Sequence, residues 1–374
     1  MPNILVIEPD AEICHAIATV LSTEFDAVMT AAEAESGFRK AQDVVPAIVI
    51  CSGQLSGRSD GVALCQRFKS LPHLSSTLFF LTLPHQPAEA RLQALEMGVD
   101  DVLSLPLDVV EIKARVRAGL RLWHMTQDLH EQKHLLDLEL AEAEAYVRSL
   151  LPADITEKVP IHARFIPSRM LGGDCYDYYW LDPDYLAVYL LDVSGHGLGS
   201  ALLSTSVLNV LRSQSLPDVN FYRPEKVLKA LNETFQMNDQ NEKYFTIWYG
   251  VYNRVNRQLL YASAGHPPAI LVSGEASHVE RLRTSGLPIG MLPEASYQWQ
   301  RCHVPHNSRL YLFSDGVYEI QQTDNTMMTL EDFIEILAGQ RIERTIDDIL
   351  STVSQRTQNN SFSDDLSLLE IQLD

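Results

Sequence analysis

Residues 186–203 read LAVYLLDVSGHGLGSALL. The first six are apolar or aromatic throughout, as in a buried strand. Asp192 and the glycines at 195 and 197 stand where that strand must end. A helical pattern then takes over at Ser200 and runs to Ser213. The same grammar, an aspartate beside glycine or serine at a strand end, recurs three times. It appears as Gly-Gly-Asp at 172–174, as Ser-Asp-Gly at 314–316 after the apolar run 310–313, and as Ser-Asp-Asp-Leu-Ser at 363–367 before a final strand. Asp-Gly is a common turn signal, so any one of these alone reads as a loop more often than as a ligand. Together they place Asp174, Asp192, Asp315 and Asp364 at strand ends of one domain. Carboxylates gathered this way repel one another unless a cation compensates, and hard cations such as Mg²⁺ or Mn²⁺ take oxygen ligands. Two such ions can ionise and orient a water and clamp a phosphoryl group. The glycines suit close approach of backbone to metal and phosphate.

Outward from this stretch, residues 152–374 are β-rich. Strands are expected over 244–252, 258–262, 269–272, 309–313 and 367–372, and helices over 200–213, 224–238, 329–339 and 346–357, which makes one α+β domain. Upstream, 108–151 holds no glycine after Gly119 and no proline before Pro152. Leu122, Leu129, Leu136, Ala143 and Leu150 recur every seven residues, while the companion positions Thr126, Lys133, Leu140 and Val147 are half polar. A long linker helix follows, as a coiled-coil dimer seam or packed on the flanking domains. Residues 1–107 alternate short apolar runs (4–7, 47–51, 77–81, 101–104) with helical patterns, the pattern of a flavodoxin-like α/β domain with a parallel five-stranded sheet.

Composition narrows the function classes. The 374 residues carry a formal charge of −20, which disfavours nucleic acid and anionic membrane as partners. The five cysteines form no C-x-x-C pair, no apolar run approaches the ~20 residues of a membrane span, and the N-terminus lacks a signal pattern, so a cytoplasmic location is expected.

The ordered series GGDCYDYY (172–179), LDVSGHGLGSALL (191–203), YFTIWYGVY (244–252), YASAGHPPAIL (261–271), GLPIGM (286–291), LFSDGVYE (312–319) and SDDLSLLEI (363–371) resembles the bacterial metal-dependent protein phosphatases of the type-2C superfamily, in the stage-II sporulation and stress-response branch. The resemblance implies a β-sandwich flanked by helices and two Mn²⁺ or Mg²⁺ ions. Asp192 would bridge the ions and the Val193 carbonyl would complete one shell. Asp315 and Asp364 would hold the second ion, with Asp174 bound directly or through water. It also implies a phosphoserine or phosphothreonine protein as substrate, such as an anti-anti-sigma factor. His196 invites a general-acid role, or it packs or bonds the turn, and His266 has the same alternatives. Arg169 is a bidentate donor for the phosphate or a surface residue. Asp177 and Asp365 read as supporting or capping residues, and Cys175 as packing. The alternative reading is a non-catalytic adaptor that holds a sigma factor or other regulator.

The N-terminal segments VIEPD (6–10), PAIVICSG (46–53), LFFLTL (78–83) and ALEMGVDDVLSLPL (94–107) resemble the receiver domain of two-component response regulators. Such a domain needs an aspartate acceptor, an acidic pair for Mg²⁺ and a lysine before proline. Here those positions hold Ser52, Glu8 with Asp10, and Leu105, and only the switch hydroxyl, Thr82, is kept. A neutral serine without cation or lysine lacks the electrostatics of phosphoryl transfer. The expectation is a pseudo-receiver that binds a regulator or dimerises, with Asp60 a poor substitute acceptor.

Overall fold

Runs of Val, Ile, Leu and Phe with no polar face demand cover on both sides, and the first part of the chain supplies it. The computed structural model describes residues 2–373 apart from 56–59, 85–87, 107, 169–170, 238–241, 275–277, 323–324, 340–344, 358–361 and 363. The chain divides into two units, Met1–Asp137 and Leu138–Asp374. In the first, strands β1 (Ile4–Ile7), β2 (Val28–Ala31), β3 (Ile48–Ser52), β4 (Leu78–Pro84) and β5 (Asp101–Leu105) alternate with helices α1 (Ala11–Ser22), α2 (Ala34–Val44), α3 (Gly61–Lys69) and α4 (Ala88–Glu96), and α5 (Val109–Leu150) follows. All pairs are parallel, in the order β2-β1-β3-β4-β5. This is the expected flavodoxin-like arrangement. Alternate residues face opposite layers. Ile4, Val6, Ile48 and Ile50 pack with Ile17, Leu21, Ile112 and Val116 of α1 and α5, whereas Leu5, Ile7, Val49 and Cys51 pack with Phe38, Leu64 and Phe68 of α2 and α3.

Asp108 caps α5 by accepting from the backbone of Val110 and Glu111 at 2.7 and 3.3 Å. The helix lies so close to the sheet that a Cβ on Gly119 would sit 2.8 Å from Phe80 Cζ and 3.0 Å from Ile48 Cδ1. Further along, the helix leaves Leu122, Met125, Leu129, Leu135, Leu136 and Leu138 exposed.

The second unit is a sandwich of two antiparallel five-stranded sheets. One is ordered β13 (Gln300–His303), β10 (Gln258–Ala264), β9 (Phe245–Asn253), β8 (Tyr185–Val193), β7 (Cys175–Asp182). The other is ordered β12 (His278–Leu282), β11 (Ala269–Ser273), β14 (Ser308–Phe313), β15 (Leu366–Leu373), β6 (Ile161–Ile166). Their inner faces share a core of Tyr176, Leu190, Trp248 and Tyr261 against Phe165, Leu271, Leu312 and Leu369. The alternate residues of β8 and β9 turn outward onto α6 (Leu198–Arg212) and α7 (Pro224–Thr234). Those of β14 and β15 turn onto α8 (Leu330–Ala338) and α9 (Ile346–Arg356). Strands β2, β6, β7, β12 and β13 and helix α2 add to the elements expected from the apolar runs.

The tight seat of α5 has a measurable consequence. Gly119→Val should cost about 1–3 kcal/mol by overpacking, seen as a lower denaturant midpoint for the transition of the first unit. An unchanged midpoint would mean that α5 does not seat there.

Candidate active site

One edge of the sandwich receives an aspartate from each of four strands, two per sheet. Asp174 immediately precedes β7, Asp192 is the penultimate residue of β8, Asp315 follows β14 by two residues, and Asp364 lies two residues ahead of β15. Antiparallel order explains this: β7 begins where β8 ends, and β15 begins where β14 ends.

The electrostatics are those of crowded carboxylates. Burial, and then the charge of Asp192, hold Asp174 well above the usual carboxylate range. The hydroxyls of Ser314 and Ser367 pull the other way, yet neither reaches it in a hydrogen bond of ordinary geometry. Both Asp174 oxygens are buried without a partner among the described residues. Burial followed by Asp315, Asp364, Asp365 and Glu319 raises Asp192 to about 7. Burial followed by Glu319 and Asp364 raises Asp315 to about 6. Side chains in this condition either take up protons or attract cations. Backbone access is built in as well. A Cβ on Gly173 would stand 2.6 Å from the Val193 carbonyl oxygen, and one on Gly172 would stand 2.4 Å from Asp365 Oδ2. As placed, no three His, Cys, Asp or Glu side chains among the described residues close around a single ion. Orphaned buried oxygens and an all-oxygen donor set nevertheless fit a hard divalent cation.

Asp365 organises this edge. Its carboxylate accepts from Gly173 N (2.6 Å), Ser168 N (2.9 Å) and Ser168 Oγ (3.1 Å), and its carbonyl accepts from Ser314 Oγ (3.1 Å). The Gly-Gly-Asp turn of one sheet is thereby tied to the strand ends of the other. Asp177 is buried and accepts from Arg212 Nε at 2.7 Å, while Arg212 Nη2 donates to the Leu150 carbonyl at 2.9 Å. The last residue of α5 is therefore bonded to α6 and β7. Cys175 is buried in the core beneath α6.

His196 is exposed between Gly195 (φ +76°) and Gly197 (φ +88°), at the mouth of the edge. Arg169 lies outside the described residues. His266 has a different place from the acid role. It is fully buried with Nδ1 2.8 Å from Thr246 Oγ1, and burial pushes its imidazole down to about 3. It is a packed neutral group beside the strand residue that pairs with Asp192. Lys243, which the motifs did not single out, donates to Ser194 O (3.2 Å) and Ser200 Oγ (2.9 Å) and braces the glycine loop. Only its position beside the motif at 244–252 signals it.

In the first unit, Ser52 ends β3, buried, in register with buried Thr82, whose hydroxyl donates to the Cys51 carbonyl at 3.4 Å. Glu8 is buried with Oε1 bound to Asp10 N at 3.1 Å and Oε2 without a partner among the described residues. Asp10 caps α1 and Asp60 caps α3. Leu105 is half-buried at the end of β5.

Comparison with known proteins accords with this geometry. The family model for stage II sporulation protein E (SpoIIE) matches residues 182–374. The chain belongs to the SpoIIE family. The response-regulator receiver domain model matches residues 4–117, so this SpoIIE-family domain is fused to a receiver. The chain is 28 % identical over 217 residues to the phosphoserine phosphatase RsbU of Bacillus subtilis, covering 58 % of this chain and 61 % of that one. It is 30 % identical over 187 residues to the phosphoserine phosphatase RsbP of the same organism, covering 49 % and 45 %. It thus spans about half to three fifths of these relatives' length. The solved SiaA-PP2C domain of Pseudomonas aeruginosa superposes with a TM-score of 0.57 at 20 % identity, covering 65 % of this chain and 98 % of that one, a likeness of fold.

Two measurements test the supports of the site. Asp365→Ala removes three hydrogen bonds to a carboxylate and should destabilise the second unit by about 3 kcal/mol; unchanged thermal unfolding would show that the turn is held otherwise. His266 is neutral when folded and charges near 6.5 when unfolded. Its contribution to stability is therefore whole above that pH and declines, by about 1.4 kcal/mol per pH unit, as pH falls toward 3. Denaturant titrations of wild type and His266→Asn should diverge only above about pH 3 and converge as acid is added; parallel curves would place the imidazole in water.

Proposed function

We propose that the second unit is a Mg²⁺/Mn²⁺-dependent protein serine/threonine phosphatase whose substrate is a phosphorylated anti-anti-sigma-type protein. The observation that carries this reading is the pair of buried, unpartnered oxygens on Asp174, facing the raised carboxyl of Asp192. The two relatives compared above, RsbU and RsbP, are phosphoserine phosphatases.

Asp192, the Val193 carbonyl, Asp315, Asp364 and Asp174 would hold two ions. When bound, those ions would supply an ionised water and neutralise the phosphate. The glycines at 172 and 173 let the turn lie against Asp365 and the Val193 carbonyl, where a Cβ would not fit. His196, on its exposed glycine loop, would give a proton to the departing serine oxygen, and Arg169 would meet the phosphate. Asp365 and Lys243 hold the two loops in place.

The first unit would act as a pseudo-receiver. Ser52 cannot take a phosphoryl group as an aspartate does, and Leu105 offers no charge to hold one. Its signal would come from a bound regulator or from a homodimer formed through the receiver and the exposed leucines of α5, a 108–151 linker between domains 1–107 and 152–374. The non-catalytic adaptor is the competing reading, and the intact set of acidic residues, Asp174, Asp192, Asp315 and Asp364, favours catalysis over it.

Asp192→Asn should lower Mn²⁺-dependent phosphate release from a phosphoserine protein at least about 100-fold, with the fold intact by circular dichroism. Retained activity would remove the assignment, and a wild-type chain inactive with either ion would favour the adaptor. Incubation of the full chain with acetyl phosphate and Mg²⁺ should label no residue of 1–107; labelling of a carboxylate there would overturn the pseudo-receiver.

A further inference from the structure

Residues 283–292, RTSGLPIGML, carry a single charged side chain, Arg283. The segment begins where β12 ends. Strands β12 and β14 are both antiparallel to β11 between them, so they end at the same edge of their sheet. Asp315 follows β14 at that edge, two strand spacings or about 10 Å across the sheet. Toward its other end, the segment reaches the second sheet. Ile289 exchanges backbone hydrogen bonds with Phe245 at 2.8 and 3.2 Å, and Phe245 pairs with Val193, the residue after Asp192. Residues 283–290 therefore form a wall beside the aspartate edge that runs from one sheet to the other.

The backbone of this wall is fixed. The Leu282 carbonyl accepts from Trp248 Nε1 at 2.9 Å, Thr284 Oγ1 accepts from Ser263 N at 2.8 Å, and Gly290 N donates to Asn232 Oδ1 at 2.8 Å. A Cβ on Gly286 would stand 2.5 Å from the Ser263 carbonyl oxygen, so the segment lies directly on β10. From this fixed backbone the side chains of Arg283, Ser285, Leu287 and Met291 are exposed.

Two observations say what the wall meets. Arg281 is held by Glu331 of α8, whereas Arg283 has no hydrogen bond or ion pair among the described residues. Burial, and then the charges of Asp315 and Glu319, push the Tyr318 phenol up, while Arg283 draws it down. Arg283 and the aspartate edge thus lie within electrostatic range of one side chain. A phosphoserine can enter that edge only with the rest of its protein, which then covers the surface around it. The spacing of about 10 Å from β12 to β14 equals roughly three residues of extended chain. An exposed guanidinium without a partner suits a carboxylate there, and an exposed leucine beside it suits an apolar contact.

We propose that this wall reads the substrate protein beside its phosphoserine, Arg283 pairing with an acidic side chain a few residues away and Leu287 covering an apolar one. This role rests on the phosphatase reading given above and makes Arg283 a specificity-determining residue.

Two families of phosphoserine peptides test it with the full chain and Mn²⁺ at low salt. One carries Glu or Lys, the other Leu or Ser, at each position within three residues of the phosphoserine. p-Nitrophenyl phosphate, which has no flanking residues, reports the aspartate edge alone. At one position at least, kcat/KM of the wild type should favour Glu over Lys about threefold or more. Arg283→Glu should reverse that order, and Leu287→Ser should remove a preference for Leu over Ser, with p-nitrophenyl phosphate hydrolysis within about twofold of wild type. Peptide preferences that both variants leave unchanged overturn the proposal. So does an equal loss on p-nitrophenyl phosphate, which would put Arg283 on the phosphoryl group. A dimer lost in Leu287→Ser while peptide preference stays would show that a second copy covers the wall, and overturns it too. A wild type inactive on every substrate would overturn the phosphatase reading itself, and this role with it.

Discussion

The second unit is organised around a repulsion. Asp174, Asp192 and Asp315 are each raised by burial and by neighbouring carboxylates, which is unfavourable for folding in the absence of a cation. The sandwich tolerates it because the strands that lead to Asp192 and Asp315 end in buried apolar residues. Leu190 and Leu191 precede Asp192, and Leu312 and Phe313 precede Ser314 and Asp315, all of them buried. The hydrophobic core brings the two sheets to a fixed separation, and Asp365 stitches the turn of one to the strand ends of the other. A cation recovers energy that the fold has already spent, which is how a binding site is preorganised.

The first unit is held together by its sheet core alone. Both layers of the parallel sheet are packed as the pattern of Val, Ile and Leu requires, and that packing does not involve the polar side chains at the strand ends. Ser52 ends β3 as a small buried polar residue, and the Asp10 and Asp60 carboxylates cap helix N-termini. Fold and function separate here, because the core is specified by apolar residues and the site by a few strand-end side chains.

Legibility in the sequence followed the same division. β1, β3, β4 and β8 were readable as apolar runs because they are covered on both faces. β7 (CYDYYWLD) and β6 (IHARFI) escaped because they mix polar residues among aromatics or alternate with them, and β12 and β13 because they are short and mostly exposed. The four aspartates were legible from their Gly/Ser neighbours. What holds them was not. Asp365 touches residues 192 to 197 positions away in the chain, and Arg212 reaches Asp177 across 35. Such bonds carry no local pattern. The sequence left His266 open between an acid role and packing, and its full burial settles it as packing.

Helix α5 joins these arguments. At 42 residues it is about 60 Å long. Its first turns are bonded into the receiver core through Ile112, Val116 and Leu120, and its last residue accepts from Arg212, the partner of buried Asp177. Between these anchored ends, its leucines face water in a single chain. Isolated helix is marginal in water, and exposed apolar side chains on it are unfavourable until something covers them. Arg212 links Leu150 to β7, whose first residue adjoins Asp174. The aspartate edge is thus bonded through backbone and ion pair to the last residue of α5.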